Sequence, residues 1–242
     1  MPNNKKRIAV FGASGSIGRA LVQWFSRTGW SVLAFNRSGK PPEEGKFGDL
    51  VRWFPCDPET SIFPNLSEYA SPFLDAAVWS QGINFNDNVY QFNKNSHEKM
   101  YRANVLYILE TMGALVQGNH FISPGRLCII SSIWQNLARQ NKLSYSITKA
   151  ALQGLVLSTS LDLGKNGHLI NAVLPGAIET SMTRANLNPD QIEKIESSTY
   201  FNKLTTLEDV CSIVGYLCSP ANTGITGQFI TADLGFSHAR II

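Results

Sequence analysis

Long apolar runs are absent from this sequence of 242 residues. The first apolar run covers residues 8–11 and ends at Gly12, and no stretch contains 18 apolar residues in succession. A membrane-spanning helix needs about 20 apolar residues, and the core of a secretory signal peptide needs about 7–15. We therefore expect a cytoplasmic protein without a membrane partner.

Cysteine is also scarce, with four residues in the chain. Cys56, Cys128, Cys211 and Cys218 form no CxxC pair, and no histidine lies beside them at the spacing of a metal site. The common zinc and dithiol motifs are therefore excluded. We expect no bound metal and interpret the cysteines as buried free thiols.

Charged residues make up only 16% of the chain and hydrophobic residues 43%, a balance that excludes global disorder. The net charge of +3 is unevenly distributed, since the first 52 residues carry nine basic and three acidic side chains. The dense basic cluster in this part is Lys5-Lys6-Arg7, which we interpret as a solvated tail. Because no basic stripe follows it, we expect no nucleic-acid partner.

The sequence does contain a regular alternation of short apolar runs with longer amphipathic segments. Nearly continuous apolar runs predict strands buried on both faces at residues 7–11, 31–35, 51–54, 76–80, 126–131, 168–174 and 228–232. Apolar residues at helical spacing predict helices over residues 17–27, 97–116, 145–163 and 207–217. The pattern predicts an α/β fold of the Rossmann type, with a doubly wound, mostly parallel seven-stranded sheet flanked by helices.

No linker rich in proline, glycine or serine divides this pattern, so we expect a single domain over residues 1–242 with a built-in active site. Residues 205–208, Thr-Thr-Leu-Glu, are typical of a capping box that starts the last helix. Residues 180–202 break the alternation, because they are polar and contain Pro189. We interpret this segment as a substrate lid.

A glycine-rich turn follows the first predicted strand. It comprises Gly12, Ser14, Gly15, Ser16, Ile17 and Gly18 and leads into the first predicted helix. Glycine allows the backbone to turn tightly and approach a pyrophosphate, which the unpaired N–H groups of a helix N-terminus attract. The turn predicts a dinucleotide site, although a tight turn without a ligand has the same pattern.

The second predicted strand ends at Asn36, Arg37 and Ser38, where proteins that bind NAD usually carry a carboxylate for the ribose 2′-hydroxyl. No carboxylate is present here. The Arg37 guanidinium, together with the hydroxyls of Ser14 and Ser38, suits a 2′-phosphate instead. This segment favours NADP(H) over NAD(H), the alternative being an exposed loop arginine.

Tyr145 and Lys149 lie four residues apart at the start of a predicted helix, and therefore on one helix face. A lysine ammonium stabilises a nearby phenolate, so we expect the pKa of Tyr145 to be lowered toward neutrality. Such a tyrosine exchanges a proton with a carbonyl or an alcohol. Ser132 ends a predicted buried strand, at the edge where parallel sheets bind ligands, and is expected to hold a substrate oxygen.

In this order, and over nearly the whole chain, these motifs resemble the short-chain dehydrogenase/reductase family. Other positions that match the family pattern are Asp57, Asn104, Pro175, Gly176, Thr180, Thr226, Gly227, Gln228 and Asp233. The resemblance implies that Tyr145 is the general acid or base, that Lys149 contacts the nicotinamide ribose, and that Ser132 positions the substrate carbonyl. It also implies a relay water held by Asn104, an adenine contact from Asp57, and a carboxamide contact from Ile178 and Thr180.

Several positions depart from the family pattern. Ser16 stands where the family usually has glycine, and Phe11 where it usually has threonine. Residues 79–82, Trp-Ser-Gln-Gly, replace Asn-Asn-Ala-Gly, so we expect altered cofactor contacts from Ser80, Gln81 and Gly82. Leu234 replaces a frequent glycine near the end of the chain.

The resemblance implies hydride transfer between NADP(H) and a ketone or secondary alcohol. A 3-oxoacyl thioester, a sugar ketone and a small alcohol all stay open as substrates, with contacts expected from Ser132, Trp134, Leu143, Tyr145 and Ala177. The alternative, raised by residues 79–82, is a dinucleotide-binding regulatory protein that has lost catalysis. The family also implies a homodimer or homotetramer.

Overall fold

The computed structural model describes residues 5–43, 47–57, 59 and 73–238. These residues contain seven strands in one sheet, in which every adjacent pair is parallel. The strands are β1 (Arg7–Phe11), β2 (Ser31–Asn36), β3 (Val51–Pro55), β4 (Leu74–Trp79), β5 (Phe121–Ile130), β6 (Leu169–Pro175) and β7 (Phe229–Ala232). Their order, β3-β2-β1-β4-β5-β6-β7, confirms the predicted doubly wound α/β fold.

Helices cover both faces of the sheet. On one face α1 (Ser16–Arg27) and α7 (Leu207–Cys218) pack on alternate strand residues such as Ile8 and Val10. On the other face α3 (Tyr107–Gln117) and α4 (Leu143–Gly164) pack on the intervening residues, which include Ala9 and Phe11. The near-continuous apolar strands of the sequence therefore divide between two cores, one on each face.

A π-helical turn, Arg102–Leu106, joins α2 (Lys94–Tyr101) to α3, so that residues 97–116 lie within one continuous helical segment. Turns of this kind are rare and occur often at functional sites. Among residues 5–43, 47–57, 59 and 73–238, no helix is long and apolar enough to cross a bilayer.

The segment over residues 180–202 forms two short helices, α5 (Ser181–Asn186) and α6 (Pro189–Ser197). The capping box of α7 lies one residue later than predicted. The Thr206 hydroxyl accepts from the Asp209 N–H at 3.1 Å, and the Asp209 carboxylate accepts from the Thr206 N–H at 2.8 Å. The prediction was wrong by one position because Leu207 is the first helical residue, which makes Thr206 the N-cap.

In the basic cluster at residues 5–7, Lys5 and Lys6 are exposed to solvent, as predicted, but Lys6 and Arg7 also contact the domain. The Lys6 ammonium lies 5.5 Å from the centre of the Trp30 ring. Arg7 begins β1, and its backbone N–H donates to the Asp75 carboxylate at 2.8 Å. The four cysteines are all buried, with free thiols.

A row of aromatic rings crosses four adjacent strands at their carboxyl ends. Phe54, Phe35, Phe11 and Trp79 are successive partners in the strand register. The Phe11 ring stacks on Phe35 at 4.6 Å and on Trp79 at 5.3 Å between ring centres. Phe11 and Trp79, two departures from the family pattern, are therefore one coupled feature. Beyond this row the sheet ends, and the loops after β1 and β4 separate to opposite faces to leave a crevice.

Candidate active site

A cavity of about 590 Å³ opens at the carboxyl ends of the strands and is called the main cavity below. It extends from the turn after β1 and the loop after β2 to the loops after β4, β5 and β6. The sequence-predicted residues that line it are Gly12, Ser14, Gly15, Ser16, Ile17, Asn36, Arg37, Ser38, Ser80, Gln81, Gly82, Ser132, Trp134, Tyr145, Pro175, Gly176, Ala177, Ile178 and Thr180. Gly18, Asp57, Asn104, Leu143 and Lys149 do not line it.

The glycine-rich turn is shaped by two close backbone approaches. Gly12 has a φ of +73°, and a Cβ there would lie 2.5 Å from the Gln81 backbone nitrogen. A Cβ at Gly18 would lie 2.1 Å from the Gly12 carbonyl oxygen, so this glycine allows α1 to pack on the turn. Gly15 is the N-cap of α1 and supplies no side-chain cap, and the first turn of α1 contains no acidic residue. The N–H groups of this helix end are consequently available to an anion.

The loop after β2 presents Arg37 at one end of the main cavity. The Asn36 side chain holds the loop, donating to the Lys40 carbonyl at 2.7 Å and accepting from the Gly39 N–H at 2.7 Å. The exposed Arg37 guanidinium lies 3.8 Å from the Asp57 carboxylate. Lys40 also lines this end, so two cations border it.

Ser80 and Gln81 replace the family's second asparagine and its alanine. Their side chains differ in hydrogen bonding, since that of Ser80 has a partner and that of Gln81 has none among the described residues. The Ser80 hydroxyl donates to the Phe11 carbonyl at 2.7 Å and so ties the loop after β4 to β1. The amide nitrogen and oxygen of Gln81 are both buried, and neither has a hydrogen-bond partner among the described residues. An unpaired buried polar group costs about 1–3 kcal/mol. Gln81 therefore carries a binding capacity that the protein itself leaves unused.

Tyr145 and Ser132 meet in the wall of the main cavity. Burial raises the pKa of Tyr145 to about 12, and a hydrogen bond from the Ser132 side chain offsets part of that rise. Lys149 lies behind them, and its Nζ donates a hydrogen bond to the Ile130 carbonyl at 3.1 Å. The same Nζ lies 5.7 Å from the centre of the Tyr145 ring. Burial lowers the pKa of Lys149 to about 8.

The expectation that the pKa of Tyr145 is lowered is wrong for this protein as described. The predicted neighbour is in place, but desolvation of the phenolate outweighs the stabilising contacts. Burial thus favours the protonated form of this tyrosine.

Asn104 lies in the π-helical turn and is completely buried. Its Oδ1 accepts from the Ile83 N–H at 2.8 Å, and its Nδ2 donates to the Ile83 carbonyl and to the Thr148 hydroxyl, both at 3.0 Å. The side chain thus joins the loop after β4 to α4, the helix that carries Tyr145. With both amide atoms already bonded, its observed contacts are those of a structural tie.

A buried carboxylate that the sequence did not single out holds the first turn of α4. Asp87 accepts from the Ser144 N–H at 3.0 Å and from the Ser144 hydroxyl. The same hydroxyl lies 2.9 Å from His97 Nδ1. Ser144 directly precedes Tyr145, so these contacts orient the tyrosine. No local pattern marks Asp87, because its partner is 57 residues away.

Arg139 is a second residue of the site that sequence reasoning missed. It lines the main cavity and lies above the Trp134 ring, with 5.8 Å between the guanidinium carbon and the ring centre. Its position between Ser132 and Tyr145 in the chain is the one available signal.

Comparisons with known proteins agree with this geometry. A family model described as enoyl-(acyl carrier protein) reductase matches residues 12–237. An L-rhamnose 1-dehydrogenase (NADP(+)) from Thermoplasma acidophilum is 27% identical, over 95% of this chain and 95% of the relative. A 3-oxoacyl-(acyl-carrier-protein) reductase FabG from Vibrio cholerae is 26% identical, over 93% of this chain and 95% of the relative.

Solved structures share the same fold. The structure of a gluconate 5-dehydrogenase from Burkholderia cenocepacia, in complex with NADP and tartrate, superimposes with a TM-score of 0.86. It is 20% identical and covers 97% of this chain and 96% of its own. The parallel sheet, the glycine-rich turn and the Ser132–Tyr145–Lys149 arrangement, together with the match over residues 12–237, lead to one assignment. The chain belongs to the short-chain dehydrogenase/reductase family of oxidoreductases.

Proposed function

We propose that the protein is an NADP(H)-dependent oxidoreductase that transfers a hydride between the nicotinamide ring and a ketone or secondary alcohol. The observation that carries this proposal is that Tyr145 and Ser132 line the same cavity as the glycine-rich turn. The alternative of a binding protein without catalysis gains no support, since the serine, the tyrosine and the lysine behind it are all assembled. The direct test is the loss of reduced-nicotinamide absorbance when NADPH and a panel of ketones are added.

The residues of the main cavity fit a dinucleotide. The turn at Gly12 leaves no room for a side chain, and the uncapped end of α1 suits a pyrophosphate. The unpaired amide of Gln81 would gain partners from a polar ligand beside that turn. At the far end, Ile178 and Thr180 would contact the carboxamide. When bound, the cofactor supplies the hydride, and the protein supplies orientation and the proton.

The proton chemistry follows from the position of Tyr145 in the cavity wall and from its raised pKa. In reduction its hydroxyl donates a proton to the carbonyl oxygen, while the Ser132 hydroxyl holds that oxygen by a hydrogen bond. The phenolate that forms is stabilised by the hydrogen bond from Ser132, and Lys149 Nζ lies 5.7 Å from the centre of its ring. In oxidation the same tyrosine accepts the proton.

The preference for NADP(H) is carried by Arg37. Changing Arg37 to Gln is expected to raise the Kd of NADPH by about 10- to 100-fold, because a hydrogen-bonded contact to a charged phosphate is lost. NADH lacks the 2′-phosphate, so its Kd is expected to change little. Calorimetric titration with both dinucleotides measures this, with Arg27→Gln as a control for an exposed arginine outside the cavity lining. An equal effect on both dinucleotides would remove the basis for the preference.

A substitution of Gln81 is expected to raise the stability of the ligand-free protein and to weaken the binding of NADPH. The isosteric change Gln81→Met removes an unpaired buried amide, and is expected to stabilise the ligand-free protein by about 1–2 kcal/mol in urea unfolding. The same change is expected to weaken NADPH binding by about 10-fold, because the amide no longer bonds the ligand. Unchanged stability together with unchanged affinity would contradict this role.

The segment over residues 180–202 is proposed as the substrate lid. Thr183, Leu187 and Ile195 from this segment line the main cavity. None of the side chains of α6 is buried, and a short helix of this kind is suited to move as part of a cover. We also propose self-association through α3 and α4, which expose Leu109, Leu157 and Leu161.

A further inference from the structure

The lining residues of the main cavity that carry a charge at neutral pH are all cations. Among the described lining residues there are two arginines and a lysine, and none is Asp or Glu. Arg37 and Lys40 lie at the end formed by the loop after β2, where the proposed dinucleotide phosphate would neutralise them. Arg139 comes from the loop between β5 and α4, the loop that also carries Ser132. The proposed dinucleotide phosphate would not neutralise it, so its charge is available to a different ligand.

The Arg139 guanidinium has no anionic partner in the part of the chain that the structure describes. No described carboxylate lies within ion-pair distance, in contrast to Arg37 with Asp57 and Arg184 with Glu179. Its contact is the face of the Trp134 ring, at 5.8 Å. The side chain is half-buried, and burial lowers the pKa of Arg139. A guanidinium in a cavity wall offers N–H donors in a planar fork that matches a carboxylate.

Short contacts connect this arginine to the groups that would hold the reacting oxygen. Trp134, beneath the guanidinium, donates its backbone N–H to the Ser132 hydroxyl at 3.3 Å. The Phe236 ring packs edge-on against the indole of Trp134, with 6.2 Å between the ring centres. The guanidinium therefore belongs to the same wall as Ser132 and Tyr145.

Lys142 is a second cation near this end of the main cavity. Lys142 donates its Nζ to Asn84 Oδ1 at 3.0 Å, and Asn84 lines the main cavity. Burial, with the charge of Arg139, lowers the pKa of Lys142 to about 8, and Asp87 opposes that shift. Because Asp87 offsets the charge of Lys142, the cation that lines this end of the cavity without a described carboxylate beside it is Arg139, which favours an anionic ligand.

We propose that the natural substrate is a small oxo acid, or in the reverse direction a hydroxy acid, whose carboxylate pairs with Arg139. This inference rests on the proposed function. The carbonyl oxygen lies against Ser132 and Tyr145, and the carboxylate accepts two hydrogen bonds from the guanidinium. In reduction the carbonyl carbon receives the hydride of NADPH, the carbonyl oxygen receives the Tyr145 proton, and the C=O double bond becomes a C–OH single bond. The products are NADP⁺ and the hydroxy acid, solvent returns a proton to Tyr145, and the carboxylate is unchanged.

The test compares each acid with its own methyl ester, which has the same carbonyl and no charge. The panel contains oxo acids with increasing separation between carbonyl and carboxylate, their esters, a ketose and a 3-oxoacyl thioester. For the wild-type protein we expect at least one acid to have a kcat/KM well above that of its ester and of the neutral substrates. In Arg139→Gln we expect KM for that acid to rise about 100-fold, with kcat changed only a few-fold, while KM for the ester stays constant.

Binding measurements separate the possible failures. Calorimetric titration of the protein with NADPH, and of the NADP⁺ complex with the hydroxy acid, gives affinities without turnover. Arg139→Gln is expected to keep the affinity for NADPH and to lose the affinity for the hydroxy acid. Arg139→Lys is expected to keep part of the affinity for the hydroxy acid. The control Arg27→Gln is expected to change neither affinity.

A wild-type protein that neither binds NADPH nor reduces any compound would overturn the proposed function itself. A protein that binds NADPH but prefers esters, the thioester or the ketose, or that uses no acid of the panel, would overturn the inference alone. An Arg139→Gln variant with wild-type thermal stability and an unchanged preference for the acid would do the same.

Discussion

Replacing Tyr145 by phenylalanine is expected to lower kcat for carbonyl reduction by about 10²- to 10⁴-fold, the range that a positioned general acid contributes. The change removes one hydroxyl and leaves the ring, which lies 5.7 Å from Lys149 Nζ, in place. Burial raises the pKa of Tyr145 to about 12, so its hydroxyl carries the proton that the proposed reduction requires. The measurement is steady-state NADPH oxidation with a saturating ketone, beside a calorimetric titration of NADPH.

The affinity for NADPH is expected to survive in this variant, since the glycine-rich turn and Arg37 are untouched. Tyr90→Phe is the matched control, because Tyr90 is 94% exposed and does not line the main cavity. Wild-type turnover in Tyr145→Phe would show that the proton comes from another group and that the family assignment does not extend to this mechanism.

The second large effect is on stability. Trp79→Ala is expected to lower the free energy of unfolding by about 3–5 kcal/mol, the usual cost of truncating a fully buried tryptophan. The side chain is completely buried, stacks on Phe11, and donates its indole N–H to the Thr111 hydroxyl at 2.8 Å. Since a typical domain is stable by about 5–15 kcal/mol, this loss is a large share of the total. Urea unfolding followed by far-ultraviolet circular dichroism measures it.

Two further variants make that result specific to the aromatic row. Trp53→Ala is the control, because Trp53 lies on the edge strand β3 and is only half-buried, so a smaller loss is expected. Trp79→Ala and Phe11→Ala are expected to be non-additive by at least about 0.5 kcal/mol, since the two rings are in contact. Truncation of a buried tryptophan usually costs far more than about 1 kcal/mol. If Trp79→Ala lowers the free energy of unfolding by less than this, the aromatic row does not hold the central strands together.

Most of the correct predictions came from patterns within short stretches of the sequence. The strands were recognisable because parallel strands buried on both faces are short and continuously apolar, and β1 matches residue for residue. The turn at residues 12–18 was recognisable because a close backbone approach accepts only glycine at Gly12 and Gly18. The spacing of Tyr145 and Lys149 needed only helix geometry.

Properties that depend on distant segments were not predictable in this way. Asp87 caps α4 from another loop, Gln81 is left with unused hydrogen-bonding capacity beneath the turn, and Arg139 enters the cavity wall over Trp134. The sign of the Tyr145 pKa shift belongs to the same class. A neighbouring lysine is visible in the sequence, whereas the desolvation that outweighs it depends on how several segments enclose the phenol.

The sequence by itself therefore determined the fold class and the family, and it marked the glycine-rich turn and the Tyr145–Lys149 pair, because these features are encoded in patterns of residues close together in the chain. The tertiary structure alone decided the direction of the Tyr145 pKa shift, the contact between Phe11 and Trp79, and the place of Arg139 in the lining of the main cavity. These depend on burial and on contacts between residues far apart in the chain, which exist only once the sheet and its loops are assembled.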